Sequence, residues 1–262
     1  MDLTVQAVGG VMSINGPEDG PPLKTGLAVC DFFGGVHLYA AIATALYERS
    51  VTGVGRLVEV SMQEAVYPVL ATNLSALQRN EWQQPPRRGN QHPTGTAAPY
   101  NVYRCNDGYL AIICVREAHW SNLLKAMNRE DLSDDPRFAT AILRAKNEAA
   151  VDEAVEQWSQ RIGKFEAARA LKDHHVPGAP VRDLVEVTAD EHMHTRGMLH
   201  DVEHPLLGSI VLPTSPLRFD GSPAPVVRGE PAIGEHTDEV LAQWLDYDVG
   251  AIGALRDVSA IG

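Results

Sequence analysis

The sequence predicts an α/β fold in which a helix–strand–helix unit is followed by a smaller α/β region. Three observations carry this. From Phe32 the apolar residues Phe32, Val36, Tyr39, Ala43 and Leu46 recur at intervals of 4, 3, 4 and 3, the spacing of one helix face. Arg56–Ser61 (RLVEVS) alternates and is rich in valine, as a strand is. Ser61 and Glu64 then match the capping box S-x-x-E, which starts a second helix near Met62 that runs to about Gln78.

The remaining elements follow in order. Asp2–Met12 reads as a short strand or loop, and NGPEDGPP (Asn15–Pro22) as an exposed turn dense in Gly, Pro, Asn and Asp. The first helix closes at Glu48 and Arg49, with Thr52–Gly55 (TGVG) as its stop. Gln83–Tyr100 is rich in Pro and Gly and reads as a linker or functional loop. Two strand-like runs flank the turn Asn106-Asp107-Gly108. Helical patterns cover about Glu117–Met127, Ala145–Arg161 and Phe165–His174. His204–Gly221 reads as strands broken by prolines, and Gly234–Tyr247 as a closing helix with Thr237 as its cap.

Composition narrows the function classes. The chain has 262 residues, 44% hydrophobic and 21% charged, in the ordinary globular range. A net charge of −12 argues against nucleic acid, whose phosphates call for a basic face. No apolar run reads as a membrane span, and the opening residues have no basic, then apolar, secretory pattern. Cys30, Cys105 and Cys114 form no C-x-x-C pair and no disulfide framework, which fits a reducing cytoplasm.

One charge stands out in this pattern. Asp31 lies inside the apolar run LAVCDFFGGVHLYAAI, where an unpaired buried carboxylate costs several kcal/mol. Aspartate directly before a helix is a preferred N-cap. It is equally a candidate nucleophile or base, because a helix N-terminus holds a carboxylate ionised. Gly34 and Gly35 remove side chains and let a ligand approach the backbone. His37 lies six residues on, about 1.7 turns, so it points away from the Asp31 face and reads as structural. His192, His194, His200 and His204 match no zinc spacing, and no metal site is expected. His174 and His175 read as a helix end, and neither a nucleophile elbow nor a P-loop is present. RRGNQHP (Arg87–Pro93) reads either as a solvated loop or as a substrate-side loop.

The segment from Asp19 to Val66, DGPPLKTGLAVCD through SMQEAV, resembles the family III CoA-transferases of the CaiB/BaiF type. So do RRGNQHPTGTAAPY with CNDGYLAI, DDPRFAT, VPGAPV and GEHTDEVL, in family order along nearly the whole chain. The resemblance implies part of a Rossmann-like CoA-binding domain over 1–82 carrying a catalytic Asp31. It further implies an active-site loop or linker over 83–96, a small α/β domain over 97–185 and a return segment over 186–262. Asp31 would be the nucleophile that exchanges CoA between an acyl-CoA and a free carboxylic acid through an aspartyl-CoA intermediate. Met62 would contact CoA, and Gly89, Asn90, Gln91 and His92 would lie near the acyl or acceptor group. Coenzyme A is then a substrate, with no permanently bound cofactor.

The resemblance covers only the C-terminal two-thirds of such proteins. It implies an interlocked homodimer, or a partner chain that supplies an N-terminal half. Two other readings stay open. One is an α-methylacyl-CoA racemase in which Asp31 acts as a base. The other is an inactive or partner-dependent fragment of the same fold.

Overall fold

The computed structural model describes residues 1–204, 206–222 and 229–261. The strand or loop expected over Asp2–Met12 is instead a helix, α1 (Asp2–Val8), followed by a 3-10 turn at Val11–Ile14. Its β-branched residues favour a strand locally, but tertiary contacts override that weak propensity. Asp2 and Gln6 are four residues apart, and the Gln6 amide donates to Asp2 Oδ2 at 2.6 Å.

Helix α2 runs from Val29 to Thr52. It ends on Gly53, whose φ of 72° is left-handed and whose N–H donates to Arg49 O at 2.8 Å. Only Cys30 and Gly34 are buried along it, and Phe32, Val36, Tyr39, Leu46, Tyr47 and Val51 stand exposed. This helix corrects the expectation that no segment approaches a membrane span. It has 24 residues, and its most apolar 18-residue stretch has a mean hydropathy of 1.5, so by length and composition alone it could cross one. Its small residues Ala40, Ala41, Ala43 and Ala45 raise the mean without forming an obvious apolar block.

The strand expected over Arg56–Ser61 does not form. The segment has no ladder partner among the described residues, and alternation alone does not make a strand. Ser61 caps α3 (Met62–Val66) by accepting the Glu64 N–H at 3.5 Å, as the capping box predicts. The single helix expected to run to Gln78 is broken at Pro68, which has no N–H to donate. A 3-10 turn at Pro68–Leu70 leads into α4 (Ala71–Arg79).

The two strand-like runs form β1 (Tyr100–Arg104) and β2 (Tyr109–Ile113), antiparallel in register from Tyr100↔Ile113 to Arg104↔Tyr109. Then come α5 (Glu117–Ala126), α6 (Ala141–Lys146), α7 (Glu148–Ser159) and α8 (Lys164–Asp173). The helix expected over Ala145–Arg161 is therefore two, parted at Asn147. Strand β3 (Gly178–Pro180) pairs antiparallel with β2 and completes a sheet of order β1-β2-β3. The hydrophobic core gathers here, between Ala98 and Val176, around Tyr103, Leu110, Trp120, Leu123, Phe138, Val151 and Leu171. Arg144 is buried in it, donating to Ala98 O, Phe138 O and Glu117 Oε2.

Residues 1–181 and 182–262 form two compact units. The second holds α9 (Leu184–Thr188), closed by a full Asp183–Glu186 capping box, and α10 (Glu191–Thr195), capped by Asp190. The hairpin β4 (Leu199–His204) and β5 (Gly208–Pro213) follows. Helix α11 (Thr237–Leu245) begins at Thr237, but His236 and not Thr237 occupies the N-cap. Helix α12 (Val249–Asp257), capped by Asp248, was not foreseen from the sequence.

Candidate active site

Asp31 is the third residue of α2 and not its cap. Ala28 holds the N-cap position and makes no side-chain cap bond. The capping acceptor comes from α1: the Cys30 N–H donates to Asp2 Oδ1 at 2.9 Å. The Asp31 carboxylate is thereby released from capping and is 48% exposed, with the Met1 amino nitrogen 3.6 Å from Oδ1. Desolvation pushes the Asp2 carboxyl up, but the Cys30 N–H, the Gln6 amide and the Asp31 N–H outweigh it and hold it below the usual carboxylate range. Burial and the neighbouring Asp2 push the Cys30 thiol up.

The two glycines beside Asp31 differ. Gly34 is buried, and a Cβ there would come within 3.0 Å of Met62 Cγ. Its missing side chain is the space in which α3 packs on α2. Gly35 is exposed, with nothing within 4 Å of a Cβ position. Gly34 and Met62 are thus brought together, one turn along α2 from Asp31. The N–H groups from Phe32 to Gly35 are not free to act as oxyanion donors. The Phe32 N–H already bonds Ala28 O at 3.1 Å, and those after it fall in the helical ladder. His37 is exposed, with Nδ1 2.8 Å from Phe33 O.

The loop residues Gly89–His92 are set by other contacts. Gly89 has a φ of 57° and its N–H donates to Gly16 O at 3.1 Å. Arg87 donates to the carbonyls of Pro17 and Gly20, and Arg88 pairs with Glu148. Asn90 is exposed, and Gln91 reaches Asp152 Oδ2 at 3.4 Å. The His92 ring meets Tyr100 edge-on at 5.0 Å, and its Nδ1 lies beside the Thr94 and Thr96 hydroxyls. Desolvation, then the Arg88 charge, holds His92 below the ordinary imidazole value, outweighing Glu148. A cavity of about 420 Å³ is lined by Gly10, Tyr67, Leu74, Arg88, Gly89 and Gln91 among others, and Asp31 is not part of its lining. Helix α1 joins the two places: Asp2 touches the start of α2, and Val8 at the other end lines the cavity.

Sequence reasoning missed the residues that hold this site. Asp2 and Gln6 secure the start of α2, and Glu148 and Asp152 secure the loop. Only the Asp2–Gln6 spacing of four left a signal. Among the described residues no group of three His, Cys, Asp or Glu side chains converges as a metal would need.

These features define a class: an α/β protein that exposes a carboxylate in the first turn of a long apolar helix. A family model described as CoA-transferase family III matches residues 1–237, and the chain belongs to this family. It is 34% identical over 255 residues to the formyl-CoA:oxalate CoA-transferase of Streptomyces coelicolor, covering 91% of this chain and 61% of that one. It is also 34% identical over 248 residues to the succinyl-CoA:mesaconate CoA-transferase of Haloarcula hispanica, covering 92% and 59%. Among solved structures it is similar to a CAIB/BAIF family protein from Brucella suis, with a TM-score of 0.79, 28% identity, and 92% and 62% covered. The Rv3272 structure from M. tuberculosis, at 23% identity, TM-score 0.74 and 91% and 62% coverage, shares the fold. The chain spans about three-fifths of the length of these relatives.

Proposed function

We propose that this protein transfers CoA between an acyl-CoA thioester and a free carboxylic acid, with Asp31 as the nucleophile. The carrying observation is the position of Asp31: ionisable, half exposed, in the first turn of α2, and relieved of capping by Asp2. A carboxylate oxygen of Asp31 attacks the thioester carbonyl. The C–S bond breaks, CoA thiolate leaves, and a mixed anhydride remains. The thiolate then attacks the Asp31 carbonyl carbon, the donor acid departs as its carboxylate, and Asp31 holds CoA as a thioester. An acceptor carboxylate reverses both steps and leaves as the new acyl-CoA, restoring Asp31. The names of the relatives, with oxalate and mesaconate as acceptors, support small carboxylic acids as substrates.

An anhydride must be shielded from water, and a side chain 48% exposed is not shielded. The exposed apolar face of α2 supports the reading that further polypeptide, in an interlocked homodimer or from a partner chain, covers it in the working enzyme. The protein is expected in the cytoplasm, where acyl-CoA substrates and reduced cysteines both fit. Peptide mass spectrometry after incubation with an acyl-CoA should find CoA on Asp31. Solvent exchange of the α-proton without an adduct would instead identify a racemase. CoA binding without either reaction would leave a binding fragment.

A further inference from the structure

Gln6 is fully buried, and the reaction proposed above does not use it. Its side chain touches Thr25 and Leu27, just ahead of α2, and Asp2 of its own helix. Oε1 accepts the Thr25 N–H at 2.9 Å. Nε2 donates to Asp2 Oδ2 at 2.6 Å and lies 3.4 Å from Leu27 O. The Thr25 contact sets the amide orientation, because a backbone N–H requires an acceptor opposite it. The donor end must then face Asp2. Asp2 in turn offers its other oxygen to the Cys30 N–H at 2.9 Å, one residue before Asp31.

We propose that Gln6 is a positioning residue for Asp31: it clamps Thr25, Leu27 and Asp2 so that Asp2, rather than Asp31, caps α2. This rests on the reading of Asp31 as the nucleophile. The alternative geometry is plain. If Asp2 loses its donor and swings away, the first N–H groups of α2 lack an acceptor, and the nearby Asp31 carboxylate is the natural replacement. A carboxylate turned back onto its own helix no longer faces a thioester. Misplacement of a reacting group by about 1 Å costs about 100-fold in rate.

The test uses the full chain and two variants, Gln6→Leu and Gln6→Glu. Gln6→Leu fills the space without either polar contact. Gln6→Glu keeps the shape and the acceptor for Thr25 but removes the donor to Asp2. Both variants should lower kcat for CoA transfer 10- to 100-fold with KM for the acyl-CoA within twofold, and should slow the appearance of the Asp31 adduct equally. Amide hydrogen exchange at Cys30 should speed up at least tenfold in both, independently of activity. Unchanged Cys30 exchange in a folded variant overturns the clamp. Faster exchange with kcat within twofold of the parent overturns its role in positioning and leaves a purely structural contact. Absence of the adduct in the parent protein overturns the nucleophile reading and, with it, the positioning role. The exchange data then still decide the clamp.

Discussion

Asp31 carries two duties in the sequence, cap and nucleophile, and the structure separates them. With Asp2 as the capping acceptor, Asp31→Asn should abolish CoA transfer while changing stability by no more than about 1 kcal/mol, the scale of a first-turn charge on the helix dipole. Thermal unfolding together with the transferase assay checks this. Asp2 predicts a pH effect with a definite sign. Its folded value lies below its unfolded one, so its contribution is complete above the unfolded value near pH 4 and is lost as pH falls through the folded value. Cys30 amide protection should decline over that acid range, and Asp2→Asn should flatten the decline. Arg144 shows the same logic inside the core. Arg144→Ala strands the Ala98 and Phe138 carbonyls and should cost roughly 3 kcal/mol, read from denaturant unfolding.

Helix α2 shows how far periodicity reaches. Its apolar spacing and its Gly53 stop were legible, because a 3.6-residue repeat and a left-handed terminus are local properties. The break at Pro68 is legible too, because proline has no N–H to continue the helical ladder. The Arg56–Ser61 strand could not be settled locally, since a strand exists only when a second one pairs with it. The glycines make a prediction that separates their roles. Gly35→Ala, in open space within a helix, should stabilise the protein by about 0.5–1 kcal/mol. Gly34→Ala should stabilise less or not at all, because the new methyl pushes on Met62. If the acyl group approaches over Gly35, the stabilised variant should show a raised KM, which steady-state kinetics would detect.

The whole molecule combines a well-filled core between Ala98 and Val176 with a long helix that buries little of its own surface. Only 11% of the apolar window of α2 is buried, whereas Leu110, Leu123, Val151 and Leu171 are sealed completely. Exposed apolar area on this scale favours association. The purified chain should therefore run above its monomer mass in light scattering, and replacing Phe32 and Tyr47 with polar residues should shift it toward the monomer. A monomer of the parent chain with full transferase activity would refute the need for a cover over α2. What the sequence determined by itself was local and ordered: the helix and hairpin patterns, the Ser61 cap, the family and Asp31 as the residue to test. Only the tertiary structure decided that Asp2 caps α2, that Gly34 is room for Met62 and that Gln6 clamps the turn. The reason is physical: the Asp2–Cys30, Gly34–Met62 and Gln6–Thr25 contacts join residues far apart in the chain, and no local pattern encodes the partner.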